Sequence, residues 1–242
     1  WGPTSKSIWK YKPRTKMATM RQPVGSCPRT PGTTEPRAPS SSSALAVQLD
    51  LDAYRHWATG NLVANANRGV FAEWLVGVAL EMFDAGDVRT EWDAVDLRYD
   101  GLRIEVKTSA YGQVWDPCGI RTTVRFDIAR QSTAWYANEP EDWELASLGP
   151  GCELIDRSSG TWVRFDPPRR TANVYVFCLN TSMPATTDKV ADPNEWQFWV
   201  VPTALLDARH PTQKTAGERT LDRLVDPIRW HGLKVAVDAC RQ

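Results

Sequence analysis

Residues 92–109 read WDAVDLRYDGLRIEVKTS, two runs of alternating apolar and polar residues about the pair Asp100-Gly101. Asp-Gly between such runs is a strong hairpin signal, because a two-residue turn of the favoured hand needs positive φ at both positions. With that turn Tyr99 faces Leu102, Arg98 faces Arg103, and Asp96 falls opposite Glu105. The period of two along a strand puts Lys107 on the same face as Glu105. Directly opposed carboxylates repel, and a bound divalent cation is the usual offset. Beyond residue 44 the only lysines are Lys107, Lys189, Lys214 and Lys234, and Lys107 alone follows an acid by two. The bland alternative is a hairpin that merely shows Asp, Glu and Lys to water; the alignment of Asp96 with Glu105 favours the site.

These residues resemble the restriction-endonuclease-like, or PD-(D/E)xK, nuclease superfamily. The resemblance covers roughly residues 65 to 130 and, more loosely, the strand at 173–180. It implies a core of a helix, an antiparallel β-meander carrying Asp and Glu-x-Lys, a further helix and another strand. Asp96, Glu105 and Lys107 match the motif. Val95 stands where the family name has proline, which leaves Asp93 open beside Asp96 as the metal ligand. The upstream segment NRGVFAEWLVGVALEMF, residues 67–83, spaces Val70, Phe71, Trp74, Leu75, Val78 and Met82 as an amphipathic, largely buried helix. Asn67 is its expected N-cap. Glu73 matches the helical acid that the family often points at its metal, with Glu81 a weaker candidate.

The resemblance implies phosphodiester hydrolysis by in-line attack, leaving a 5′-phosphate and a 3′-hydroxyl. Asp96, Glu105, the Val106 backbone carbonyl and Glu73 are the expected ligands of Mg²⁺, or of Mn²⁺. Hard oxygen donors suit Mg²⁺, which keeps several waters and binds through one or two carboxylates plus substrate phosphate. Lys107 would orient or deprotonate the attacking water and stabilise developing charge. Gln113, Arg121 and Arg125 are expected substrate contacts, with Arg169 and Arg170 as further phosphate-binding candidates. The chain holds twelve tryptophans. Trp115, Trp135, Trp143 and Trp162 fall in loop-like sequence, where they either anchor loops or stack on unpaired bases.

Composition divides the chain. Residues 1–44 hold eight Lys or Arg against one acid, a balance of +7, and are rich in Pro, Ser and Thr. Such a segment is expected to be disordered. The remaining 21 basic and 28 acidic residues give −7, so a neutral total combines a basic arm with an acidic body. An arm of this kind suits a nucleic acid backbone. The opening Trp1, with Met17 and Met20 behind it, leads us to expect that the first ~16–19 residues are not native. No apolar run approaches the roughly 20 residues of a membrane span, and no signal-peptide core is visible. The five cysteines lack CxxC spacing and the three histidines lie far apart, which argues against zinc. A cytoplasmic protein with reduced thiols is expected, and no glycine-rich phosphate loop is present.

Along the body we expect a helix over 49–58, the helix over 67–83, the hairpin from about 90 to 109 and a strand over 122–129. Irregular structure follows over 131–170, then a doubly covered central strand over 173–180 and a strand over 196–202. A helical turn at Leu205 and Leu206 and short helices near 219–225 and 232–241 complete the chain. The fold class is α/β, a three-layer restriction-endonuclease-like core with a mixed β-sheet flanked by helices. Residues 45–242 form one domain with a C-terminal elaboration. The function expected is metal-dependent hydrolysis of DNA by an endonuclease, with a homodimer left open. The alternative is a non-catalytic nucleic-acid-binding or interaction module on the same fold.

Overall fold

The hairpin forms with the register that the turn residues dictate. β1 (Leu97–Tyr99) and β2 (Leu102–Ala110) pair antiparallel, with Tyr99 opposite Leu102, Arg98 opposite Arg103 and Leu97 opposite Ile104. Asp100 and Gly101 both take positive φ, 48° and 78°, the signature of the mirror-image turn that matches strand twist. The computed structural model describes residues 49–91, 93–114, 120–137, 144, 149–156 and 160–241. The basic arm and Trp115 and Trp143 lie outside the described residues.

β2 is the long element of the sheet. Its far edge pairs in parallel with β7 (Val174–Asn180), which pairs antiparallel with β8 (Trp196–Pro202), giving a mixed sheet in the order β1-β2-β7-β8. Every residue of β7 is buried, as a strand covered on both faces requires. Val174, Val176 and Cys178 pack on one side with Ile104 and Val106. Tyr175, Phe177 and Leu179 pack on the other with Trp199 and Phe126.

α2 (Asn65–Ala79) covers the first face through Ala72, Leu75 and Val76, joined by Leu233 and Val237 of the C-terminal helix Leu233–Asp238. The short helices Thr203–Arg209 and Glu218–Leu221 cover the second face through Leu206 and Leu221. The chain is thus α/β, with a mixed sheet between helices, and Leu49–Gln242 form one compact unit. Among the described residues, no helix is long and apolar enough to cross a membrane.

Several expectations need correction. α1 is Leu51–Thr59, close to the expected 49–58, but α2 begins earlier and ends earlier than 67–83. Ala64 caps it, while the Asn67 side chain donates to the carbonyls of Ala58 and Asn61 and so ties α1 to α2. Glu81, at φ 60°, lies past the helix end. Val70 and Trp74 are exposed, because the buried stripe of the helix runs through Arg68, Ala72, Leu75 and Val76 instead. The hairpin is shorter on its first side, since residues 93–96 are not strand.

The expected strand over 122–129 shrinks to β3 (Phe126–Asp127), which pairs with β9 (Thr215–Ala216). The second neighbour of β2 is therefore β7, so β1, β2 and β3 form no meander. Residues 131–170 are not irregular: β4 (Gln131–Tyr136), β5 (Cys152–Asp156) and β6 (Thr161–Arg169) make a three-stranded antiparallel sheet ordered β4-β6-β5. Thr161, Val163 and Phe165 point into its small core while Trp162 and Arg164 face out, so the period of two is present but brief.

The hairpin turn fixes where Asp96 and Glu105 meet. Gly101→Val places a β-branched residue at φ 78° and is expected to cost about 2 kcal/mol. Urea denaturation checks this; a loss below ~0.5 kcal/mol, the scale of an inert surface change, contradicts the role given to the turn.

Candidate metal centre

β1 stops at Leu97 while β2 continues, and this mismatch builds the site. The Asp96 amide still donates to the Ile104 carbonyl at 3.2 Å, so Asp96 and Leu97 share one partner, as at a bulge, and Asp96 is not the directly opposed strand partner of Glu105 that the turn alone leads one to expect. One residue on, where a further strand residue would have stood, the Asp96 carboxylate accepts the Val106 amide at 2.7 Å. A side chain has taken over from backbone on the edge of β2. The carbonyl of Val106 points to that same edge, because a strand residue turns its N–H and C=O to one side.

Glu105 is buried, and Lys107, two residues along, is half-buried with its ammonium bonded to Glu105 Oε1. Tyr175 lies beside Glu105 in the parallel register. A cleft of about 210 Å³ opens here, walled by Asp96, Glu105, Thr133, Trp135 and Trp162 among others. On the α2 side a larger cavity of about 530 Å³ holds Glu73, Arg89, Phe71 and Trp74 together with Asp96. Asp93 and Asp96 wall both spaces.

The electrostatics follow from this crowding. Burial, then the charges of Glu105 and Glu73, push the Asp96 carboxyl up to about 7, against the opposing pull of the Val106 amide and Lys107. Burial works to lower the Lys107 ammonium, but Glu105, with Asp96 and Asp127 behind it, outweighs that and holds it above its ordinary value. Burial first, then Glu105 and Asp127, raise the Tyr175 phenol. Carboxylates assembled against their own repulsion are what a cation relieves.

The donor set fits a hard divalent ion of limited protein ligation. Asp96, Glu105 and the Val106 carbonyl offer oxygen only, which suits Mg²⁺ or Mn²⁺. Among the described residues, no group of three or more His, Cys, Asp or Glu encloses a metal position. Both carboxylate oxygens of Glu73 are taken by Arg89. Glu73 acts on Asp96 through charge.

The other candidates divide. Asp93 is held by two bonds from Arg98 and caps the amide of Ala94, so its oxygens are occupied where those of Asp96 meet one amide. Gln113 accepts from Arg68 and donates to the Ala110 carbonyl, which turns it inward. Arg121 lies 3.6 Å over the Tyr111 ring and bonds Glu218. Arg125 is exposed at the approach to β3. Arg170 is fully buried, bonded to the carbonyl of Ile128 and to Asp207, and braces the core instead of meeting substrate. Arg169 donates to the Pro150 carbonyl.

Sequence reasoning missed Arg89, the partner of Glu73, and Asp127, which acts on both Lys107 and Tyr175. The alternation of Asp127 between buried Phe126 and Ile128 was the available signal for the latter. Comparison with known family models, with curated proteins and with solved structures gives no match to this chain.

A raised carboxyl has a definite consequence for stability. The folded value near 7 lies above the unfolded value of about 3.9, so between them the folded chain keeps a proton that the unfolded chain has released. The stabilisation is complete below the unfolded value and is lost as pH rises through the folded one. Asp96→Asn removes the penalty and can still accept the Val106 amide. Without divalent cation it is expected to melt at least ~3 °C above the parent at pH 8, with the gap closing towards pH 4. A lower melting temperature at pH 8 contradicts the charge crowding.

Proposed function

We propose that the chain is a metal-dependent nuclease that hydrolyses phosphodiester bonds in DNA as an endonuclease, on a restriction-endonuclease-like core. One observation carries the reading: a half-buried carboxylate, Asp96, bonded to the Val106 amide on the edge of β2 and walling an open cleft together with Glu105, whose own carboxylate holds Lys107. In support, an Asp and a Glu-x-Lys converge from the two arms of one hairpin.

Asp96 and Glu105 would hold the ion, with the Val106 carbonyl as the third protein oxygen. When bound, Mg²⁺ lowers the pKa of a water and neutralises charge on the phosphoryl oxygens. The protein supplies position and charge around it. Lys107, bonded to Glu105 in the metal-free chain, would present its ammonium to a phosphoryl oxygen. Its raised pKa keeps it charged at neutral pH, which suits charge stabilisation. The Val106 amide fixes the Asp96 carboxylate so that it need not reorganise. Arg89 holds Glu73 back, so the negative field behind Asp96 stays in place without a third ligand.

Incubation with single-stranded and duplex DNA tests the reading. Cleavage is expected with Mg²⁺ or Mn²⁺, and chelation stops it. Lys107→Ala is expected to slow cleavage at least ~100-fold while DNA binding persists. An unchanged rate in that variant, or no metal-dependent cleavage of either DNA form by the parent, contradicts the proposal.

A further inference from the structure

Aromatic side chains stand in both of the spaces that Asp96 walls. In the larger cavity the rings of Phe71 and Trp74 lie 5.5 Å apart, and Trp74 is 51% exposed. In the smaller cleft Trp135 and Trp162 are directly opposed across β4 and β6, with Trp162 38% exposed. Gly160 lies close enough to the Trp135 ring that a Cβ there would meet it at 2.4 Å, so the indole is held by backbone. A soluble domain ordinarily buries such rings. Here they wall two spaces that share Asp93 and Asp96 as lining residues.

We propose that the site takes a nucleic acid strand whose bases are unpaired, with one base stacked in the larger cavity on Phe71 and Trp74 and a neighbouring base on Trp135 and Trp162. The assignment rests on the nuclease reading for the place of the phosphate, which lies between the two platforms at Asp96 and Glu105.

Charge separates base from phosphate. The larger cavity carries five carboxylates against the guanidinium groups of Arg89 and Arg98, each of which is already bonded to one of those acids. Such a wall repels phosphate, and it accepts hydrogen bonds from the ring N–H and amino groups of a base. At about 530 Å³ the space is within the range of small-ligand sites. Inside a duplex both faces of a base are covered by its neighbours, so the rings have nothing to stack on. An unpaired strand offers them freely.

Fluorescence anisotropy on the full chain tests this, in the Lys107→Ala background with Mg²⁺ so that substrate survives. The probes are a labelled oligodeoxyadenylate of about a dozen nucleotides and a blunt duplex of the same length. We expect the single strand to bind more tightly than the duplex. Trp74→Ala and Trp162→Ala should each weaken single-strand binding at least ~fivefold, the lower end of base–aromatic stacking, and leave duplex binding within about twofold. Trp74→Phe and Trp162→Phe keep a ring and should stay within ~threefold of the parent. Where an alanine variant fails to fold, Trp74→Leu or Trp162→Leu, which keeps bulk without a π face, decides the matter by the same loss.

Equal or tighter binding of duplex, or unchanged single-strand affinity in both leucine or alanine variants, overturns the strand assignment. Cleavage activity that persists beside that result leaves the nuclease reading standing. Conversely, intact stacking without metal-dependent cleavage overturns the nuclease reading and leaves the strand site in place.

Discussion

The hydrogen bond from the Val106 amide to the Asp96 carboxylate is the constraint on which the site depends. It exists because β1 is three residues long and β2 is nine. Beyond Leu97 the edge of β2 has no strand beside it, and an unpaired buried amide there would cost a few kcal/mol. Asp96 satisfies it with a side chain instead of a backbone carbonyl. The same substitution turns a carboxylate in beside Glu105 and leaves the Val106 carbonyl on the open edge. Strand length, a matter of folding, thus decides a matter of chemistry.

Placing acids so close is unfavourable for the bare protein, and the surrounding structure limits the damage in three ways. Lys107 neutralises Glu105, Arg89 neutralises Glu73, and Asp96 keeps its proton up to about pH 7. The rigidity comes from the centre of the sheet, where Phe177, Trp199 and Phe126 pack edge to face within 6.4 Å. These rings lie on the same side of the sheet as Glu105 and Lys107, so the polar site is set against packed aromatic core.

The hairpin, its register and the fully buried β7 were legible because each rests on a local rule: two positive-φ residues at a turn, alternation along a strand, an unbroken β-forming run. The closeness of Asp96, Glu105 and Lys107 was legible for the same reason. What failed depended on tertiary choice. Nothing local says that β2 will take β7 and not β3 as its second neighbour, since that pairing joins residues some seventy positions apart. Trp135 and Trp162 fall in sequence that reads as loop, yet pairing across β4 and β6 makes them strand residues. Gln113 and Arg170 looked available as polar groups near the motif, and internal hydrogen bonds claim both.

The central claim is that Asp96 and Glu105 are held together for a cation, and titration of Mn²⁺ into the metal-free chain, followed by the loss of the free-ion electron paramagnetic resonance signal, tests it most directly. One site per chain is expected at pH 8, weakening as pH falls through about 7 because Asp96 takes up its proton, and lost in Asp96→Asn. Binding that is absent in the parent, or that is as tight in Asp96→Asn as in the parent, would contradict the account.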